Sequence, residues 1–397
     1  MKLSDNICAM ATPSGGAIGI IRISGPDSIT IADRHFSRNI SEAKSHTLHY
    51  GVFASDSSMP IDDVMVAVFR APHSYTGENS VEIYCHGSRY IMSQIIRTLI
   101  EAGCRQADPG EYTRRAFING KMDLSQAEAV ADLIAATGKA SHDMALGQLR
   151  GNISSELSRL RDQLLKMTSL MELELDFSDH EELEFADRTE LTLLAHTIHD
   201  RITSLASSFR TGQAIKQGIP VAIIGKTNVG KSTLLNRLVG EEKAIVSDIH
   251  GTTRDIIEDT IDIHGVTFRF VDTAGLRTTD DVIEQIGIER SYSALSKAAI
   301  VLWVIDTPPS EEELSDITSR CKGKQVIAVI NKTDKFPATP LSTSGQSLSI
   351  PFSTLSISAL NGTGINELTD AIYAKSGIPE IGENDAIITS ARHYSSL

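Results

Sequence analysis

The run Val221-Ala222-Ile223-Ile224, then Gly225-Lys226-Thr227-Asn228-Val229-Gly230-Lys231-Ser232, then Thr233-Leu234-Leu235-Asn236-Arg237-Leu238-Val239 decides the fold of this chain. A β-branched run of strand length meets a glycine-rich loop, and an apolar helical run follows. The loop reads G-x-x-x-x-G-K-S in the strand–loop–helix setting that this pattern requires. Its glycines let backbone N–H groups wrap phosphates, and the helix N-terminus adds the positive end of its dipole. Lys231 is placed to neutralise the β- and γ-phosphates, and the Ser232 hydroxyl to ligate Mg²⁺.

Downstream, the β-branched runs 267–271, 300–305, 326–330 and 355–357 alternate with helical or loop segments. The alternation predicts βαβ units, with a mostly parallel sheet and helices on both faces. Asp272-Thr273-Ala274-Gly275 ends one strand, where the acid can hold Mg²⁺ through water and the glycine amide can meet the γ-phosphate. Asn331-Lys332-Thr333-Asp334 ends another. The Asp334 carboxylate can accept from N1–H and the exocyclic amine of guanine; adenine presents neither there, so the site selects GTP over ATP. Ser358-Ala359-Leu360 completes the base pocket. In this order, each at the carboxyl edge of a strand, the three motifs support one another. Ras-like enzymes place a water-orienting Gln directly after the Asp-x-x-Gly, but here that position is Leu276. Another group must orient water. Asn228, inside the phosphate loop, can ligate a monovalent cation, and Thr253, in Gly251-Thr252-Thr253-Arg254-Asp255, suits Mg²⁺. A potassium ion there does electrostatically what an arginine finger does.

The 397 residues carry 51 Asp and Glu against 37 Lys and Arg, a net charge of −14. That length implies about two or three domains. With 41% hydrophobic and 22% charged residues, wholesale disorder is excluded. The acidic balance excludes nucleic-acid binding by a broad basic surface and leaves only local contact. No apolar run approaches the roughly 18 residues needed to span a bilayer, and Asp5 and Asn6 interrupt any secretory signal. Cys8, Cys85, Cys104 and Cys321 lack metal or redox spacing and read as reduced thiols of a cytosolic protein. His86, beside Cys85, has no second ligand cluster and reads as a packed histidine.

Residues 1–120 mix strand-length runs (17–23, 64–69, 81–84) with turns and one helical stretch, 90–102, and predict an α+β domain. Residues 121–217 predict an all-α helical domain, with no proline between Pro109 and Pro220. Its apolar stripes are Leu124, Ala127, Val130, Ala131 and Ile134, then Leu157, Leu160, Leu164, Leu165, Thr168 and Met171. Within it, residues 171–190 hold nine acidic residues and one basic residue, Arg188, which makes either a solvated turn between helices or a docking site for a basic partner. Residues 218–377 are the α/β P-loop GTPase domain.

These motifs resemble the MnmE (TrmE) family of tRNA-modification GTPases. The resemblance includes Ile286-Gly287-Ile288-Glu289-Arg290 and, in the N-terminal region, Gly19 to Gly25, Ser74 to Glu78 and Pro109 to Lys121. It implies a multidomain fold with a folate-binding-like N-terminal domain and a GTPase domain inserted into the helical one, whose C-terminal part begins at residues 378–397. It further implies a cytoplasmic homodimer without membrane association. With an MnmG-type flavoprotein, this dimer adds an aminomethyl- or carboxymethylaminomethyl-type group at the 5-position of the wobble uridine of tRNA, with 5-formyl-tetrahydrofolate or a related folate as one-carbon donor. GTP hydrolysis is K⁺-stimulated and coupled to G-domain dimerisation. The implied nucleotide contacts are Asn228, Val229, Gly230, Lys231, Ser232, Thr233, Ser247, Asp248, Ile249, Gly251, Thr252, Thr253, Asp272, Thr273, Ala274, Gly275, Asn331, Lys332, Asp334, Ser358, Ala359 and Leu360. Asn228, Ser247, Ile249 and Thr252 are the implied K⁺ ligands, and Ser232 and Thr253 those of Mg²⁺. Glu284 corresponds to the acid that acts on the attacking water, although by spacing alone it is a solvent-facing residue. Folate contacts carry over to Arg22, Glu82 and Lys121, which by sequence alone are surface charges. The family's chain ends in further helices and a Cys-x-Gly-Lys tail. This sequence stops at Leu397, so the resemblance implies either a truncated chain or a member without that chemistry. A GTP-controlled ribosome-assembly factor of the Era-like class is the alternative, because it shares the GTPase motifs.

Overall fold

The computed structural model describes residues 5–55, 59–176, 188–241, 259–271, 295–335, 350–379 and 386–397. They divide into two compact units, residues 1–131 and 132–397.

In the first unit the strands are β1 (Ile7–Met10), β2 (Ile18–Ser24), β3 (Thr47–Ala54), β4 (Pro60–Phe69), β5 (Ser80–His86) and β6 (Arg105–Gln106), and the helices are α1 (Ser28–His35), α2 (Arg89–Glu101) and α3 (Glu111–Ile118). They form one sheet in the order β3-β4-β5-β2-β1-β6, antiparallel except for β1 beside β6. Period-2 alternation sends Ile21, Ile23, Val64, Val66, Val68, Val81 and Ile83 to one face. There they pack with Met92, Ile95 and Leu99 of α2. Gly103 (φ 106°) ends α2: its N–H bonds the Ile100 carbonyl, and the Cys104 N–H bonds the Leu99 carbonyl. The expected strands and helix are present. β1, β6, α1 and α3 are additions, because two- to four-residue strands and eight-residue helices leave too little periodicity to read; β3 is a further addition, in which Thr47, His49 and Gly51 interrupt any long apolar run.

The second unit begins within α4 (Leu124–Ala135). It continues through α5 (Lys139–Leu149), α6 (Asn152–Asp176), α7 (Arg188–Gln217), β7 (Ile219–Ile224), α8 (Lys231–Glu241), β8 (Asp259–Ile263), β9 (Val266–Phe270), β10 (Ile300–Ile305), α9 (Glu311–Arg320), β11 (Gln325–Ile330), β12 (Ser353–Ser356), α10 (Ile365–Ser376) and α11 (Ala391–Ser396). Its sheet runs β12-β11-β10-β7-β9-β8, parallel except for β8 against β9. All six residues of β10 are buried. Ile300, Leu302 and Val304 join a core with Leu234 and Leu238 of α8 and Leu368 of α10, whereas Val301, Trp303 and Ile305 join another with Leu314 of α9. Covering both faces is what makes these runs continuously apolar. β8 is not legible in the sequence because its turn, His264-Gly265, turns through φ of 53° and 83° without the usual Asn-Gly pair.

The helices fall where expected, but their buried faces do not. Leu124 and Ile134 of α4 are exposed, and Ser125 and Ala129 are the buried positions. On α6 only Leu160 of the expected stripe is fully buried, and Leu165 and Met171 are half exposed. Periodicity gives a helix its apolar side, but which side is covered depends on the neighbour. Here the cover comes from Ile198 and Leu205 of α7 with Ile388. The acidic run 171–190 is helical up to Asp176 and again from Arg188; its middle lies outside the described residues.

Candidate functional site

The phosphate loop leaves β7 at Ile224 and re-enters helix at Lys231. Gly225 (φ 149°) lies against β10: an added Cβ would stand 2.2 Å from the Val304 carbonyl oxygen. A Cβ on Gly230 (φ 97°) would stand 2.3 Å from Asn331 Nδ2. Only glycine fits either place. Lys231 reaches back into the loop, with Nζ donating to the Gly225 carbonyl at 2.8 Å and the Lys226 carbonyl at 2.6 Å. Burial pulls its pKa below the ordinary lysine value. Ser232 and Thr233 stand exposed on the first turn of α8.

A second loop, after β11, clasps the first. Buried Asn331 donates from Nδ2 to the Val229 carbonyl at 2.9 Å and accepts from the Ala359 N–H at 3.0 Å. Lys332 donates to the Asn228 carbonyl at 2.6 Å and to Asp306 Oδ2 at 2.8 Å. Asp334 is exposed, and its Oδ1 accepts the Ser358 hydroxyl at 2.7 Å. Arg237 of α8 donates to the Leu360 carbonyl at 2.7 Å and braces that loop from behind. The structure therefore gathers Asn228 to Thr233, Asn331, Lys332, Asp334 and Ser358 to Leu360 at the carboxyl edge of one sheet. Ser247, Asp248, Ile249, Gly251, Thr252, Thr253, Asp272, Thr273, Ala274, Gly275, Leu276 and Glu284 lie outside the described residues. Sequence reasoning missed Asp306, Arg237 and Glu313, which pairs with Lys226 at 2.5 Å. An acid directly after β10 was the available signal for Asp306.

In the first unit Arg22 and Glu82 face each other across β2 and β5, with Arg22 Nη2 2.7 Å from Glu82 Oε1. The Tyr84 hydroxyl donates to the other oxygen at 2.8 Å, and the guanidinium lies over the rings of Tyr75 and Tyr112, 5.7 and 5.5 Å from their centroids. Burial, then Glu82, raises the Tyr84 pKa. Lys121 takes a different partner, the Pro72 carbonyl at 3.0 Å. His86 is not packed: its ring is 70% exposed, and Asp62 holds Nδ1 at 2.8 Å. The strand's alternation explains the difference, because the inward neighbour is Cys85. All four cysteines are free and buried. Among the described residues no group of three metal-ligating side chains occurs, and no helix is long and apolar enough to cross a membrane.

A phosphate loop tied to an Asn-Lys-x-Asp base loop on a doubly covered α/β sheet defines a P-loop GTPase. Two family models cover nearly all of the chain: "GTP-binding protein TrmE N-terminus" over residues 6–121 and "MnmE helical domain" over residues 124–397. The tRNA modification GTPase MnmE of Parabacteroides distasonis is 54% identical over 98% of this chain and 87% of its own length. That of Phocaeicola vulgatus is 52% identical over 99% and 87%. Among solved structures, the G domain of the T. maritima FeoB iron transporter aligns with 40% of this chain and 98% of its own at 23% identity, with a TM-score of 0.29, too low to carry weight. The chain belongs to the MnmE family of tRNA modification GTPases. The match over residues 6–121, outside the GTPase motifs, separates it from the Era-like alternative.

Proposed function

We propose that this GTPase drives modification of the wobble uridine of tRNA at its 5-position, in the cytoplasm, as a homodimer working with an MnmG-type flavoprotein and a folate one-carbon donor. The proposed division is residues 1–120 for folate and dimerisation, 121–217 and 378–397 for the helical domain, and 218–377 for GTP hydrolysis. One observation carries the nucleotide half of the reading. Asn331 bonds the phosphate loop through Val229 and the base loop through Ala359, so phosphate and guanine recognition form one rigid unit. A phosphate oxygen is a charged acceptor, stronger than the neutral carbonyls that Lys231 now holds, so the ammonium moves to it without reorganising the loop. Ser358 fixes one Asp334 oxygen and leaves the carboxylate to accept from the guanine edge.

The exposed Ser232 hydroxyl beside Lys231 suits Mg²⁺, with Thr253 as second ligand; when bound, the ion supplies charge on the β- and γ-phosphates. Asn228 offers an amide oxygen for K⁺ beside Ser247, Ile249 and Thr252, and Glu284 acts on the attacking water. The Arg22–Glu82 pair, with Tyr75, Tyr84 and Tyr112 around it, has the chemistry of a site for a flat hydrogen-bonding heterocycle: aromatic faces, a carboxylate for its donor edge and cations for a carboxylate tail, with Lys121 as the further cation. GTP turnover in KCl against NaCl tests the ion, and equal rates remove K⁺. Wobble-uridine analysis of a deletion strain complemented with this chain tests the whole; an unmodified uridine beside a working GTPase overturns it.

A further inference from the structure

Among the described residues, Asp306 is a charged side chain at the carboxyl edge of the sheet to which the nucleotide motifs give no role. Asp306 follows the last residue of β10. The parallel register sets Ile305 beside Ile330, and the Asn331 N–H donates to the Ile305 carbonyl at 2.8 Å, so Asp306 and Lys332 leave the sheet side by side. One ammonium joins three segments: Lys332 Nζ binds Asp306 Oδ2 at 2.8 Å and the Asn228 carbonyl at 2.6 Å. Both ends of that second bond are non-glycine residues in the left-handed region, Asn228 at φ 61° and Lys332 at φ 67°. Such backbone is strained for a non-glycine residue and persists only where its surroundings hold it.

We propose that Asp306 is a positioning residue of the guanine-nucleotide site: it aims the Lys332 ammonium at the Asn228 carbonyl and thereby holds the phosphate loop in its left-handed, ligand-ready turn. Consecutive side chains then grip consecutive carbonyls, Lys332 that of Asn228 and Asn331 that of Val229. Asn331 needs no help, because its amide is buried and fixed at both ends. A lysine has four side-chain torsions and three equivalent protons, so without a second acceptor its ammonium samples many directions. A carboxylate in charge-assisted contact selects one of them. The two side chains are about equally screened, 24% exposed for Lys332 and 25% for Asp306, so the pair is neither free in water nor sealed from it.

The role of Asp306 rests on reading residues 225–232 and 331–334 as the nucleotide site, and a failure of that reading shows separately, as an unaltered chain that does not bind GDP. The test is a double-mutant cycle on the full chain, with fluorescently labelled GDP as probe and thermal unfolding as control. Asp306→Ala weakens GDP roughly tenfold, the scale of losing one charge-assisted hydrogen bond. Asp306→Asn, which keeps an acceptor oxygen without charge, falls between Ala and the parent. In a Lys332→Met background either change adds less than about twofold, because the residue through which Asp306 acts is gone. A merely structural aspartate gives losses that multiply in the double variants, and that result overturns the proposal, as does unchanged affinity in Asp306→Ala. If Asp306→Ala does not fold, the Asn variant completes the same cycle: a loss that vanishes in the Lys332→Met background supports the proposal, and one that multiplies overturns it.

Discussion

Two ionic clusters of this chain are built from similar side chains and do opposite things. In the first unit Arg115, wholly buried, meets Asp5 Oδ1 at 2.6 Å, Glu78 at 3.2 Å and Glu111 at 3.2 Å, while Arg105 meets Glu111 at 2.7 Å. Three carboxylates surround the Arg115 guanidinium, and the Asp5 carbonyl adds a neutral acceptor at 2.9 Å. Among the described residues, Lys231 in the phosphate loop is bonded only to neutral carbonyls, and burial lowers its pKa. The first cation is already matched by carboxylates and is fixed; the second is held in place but still short of negative charge. Saturated charge builds structure, and unsaturated charge builds a site.

The largest test of that contrast is Arg115→Met. Removing it leaves the largely buried Glu78 without its cation and takes one cation from Glu111 and Asp5, which keep Arg105, so denaturant unfolding should show a loss of about 3–5 kcal/mol, with GDP affinity of the folded protein unchanged. Acid probes the same cluster. The hydrogen bond from Arg105, ahead of burial's opposing push, with the Asp108 N–H and Arg115, holds the Glu111 pKa down to about 2 from 4.5. Because the folded value is the lower one, the stabilisation is complete above pH 4.5 and is lost as pH falls towards 2. It amounts to about 3 kcal/mol. Stability that stays flat from pH 5 to 2.5 would remove Glu111 from the cluster's energetics.

On the other side, Lys231→Met should weaken GTP by roughly 100-fold, an effect of about 2.7 kcal/mol, and leave the unfolding midpoint within a few degrees. A matching loss of stability would mean that the two clusters do not differ in kind. Asp334→Asn should lower GDP affinity by roughly 100-fold and raise that for xanthosine diphosphate, whose 2-oxo group accepts from the new amide; equal losses for both bases would remove Asp334 from base recognition. The smallest effect belongs to Lys226→Ala. Its pair with Glu313 is solvent-exposed, 68% on the lysine side, and should contribute no more than about 0.5 kcal/mol in unfolding measurements.

The two clusters also differ in how far they can be read from sequence. Lys231 belongs to an eight-residue loop whose chemistry is local: strand, glycines, cation and helix start follow one another along the chain. Asn331 to Asp334 and Ser358 to Leu360 are legible for the same reason, each being a short run at the end of a strand. The Arg115 cluster adds to the local i,i+4 partner Glu111 the distant Asp5 and Glu78, which only the sheet order β3-β4-β5-β2-β1-β6 brings alongside. Arg22 and Glu82, 60 residues apart, depend on strand register in the same way.

The sequence by itself determined the P-loop α/β domain, its preference for guanine, the helical texture of residues 121–217 and the family. All of these are set by local pattern: period, glycine placement and residue type at the end of a strand. Only the tertiary structure decided that Arg115 is a buried structural cation, that His86 points outward, that α6 buries little of its apolar stripe, and that Asp306 stands behind Lys332. Each of these depends on which distant segment packs alongside, because burial and charge pairing are properties of neighbours in space, and a chain's neighbours in space are fixed by strand order and register.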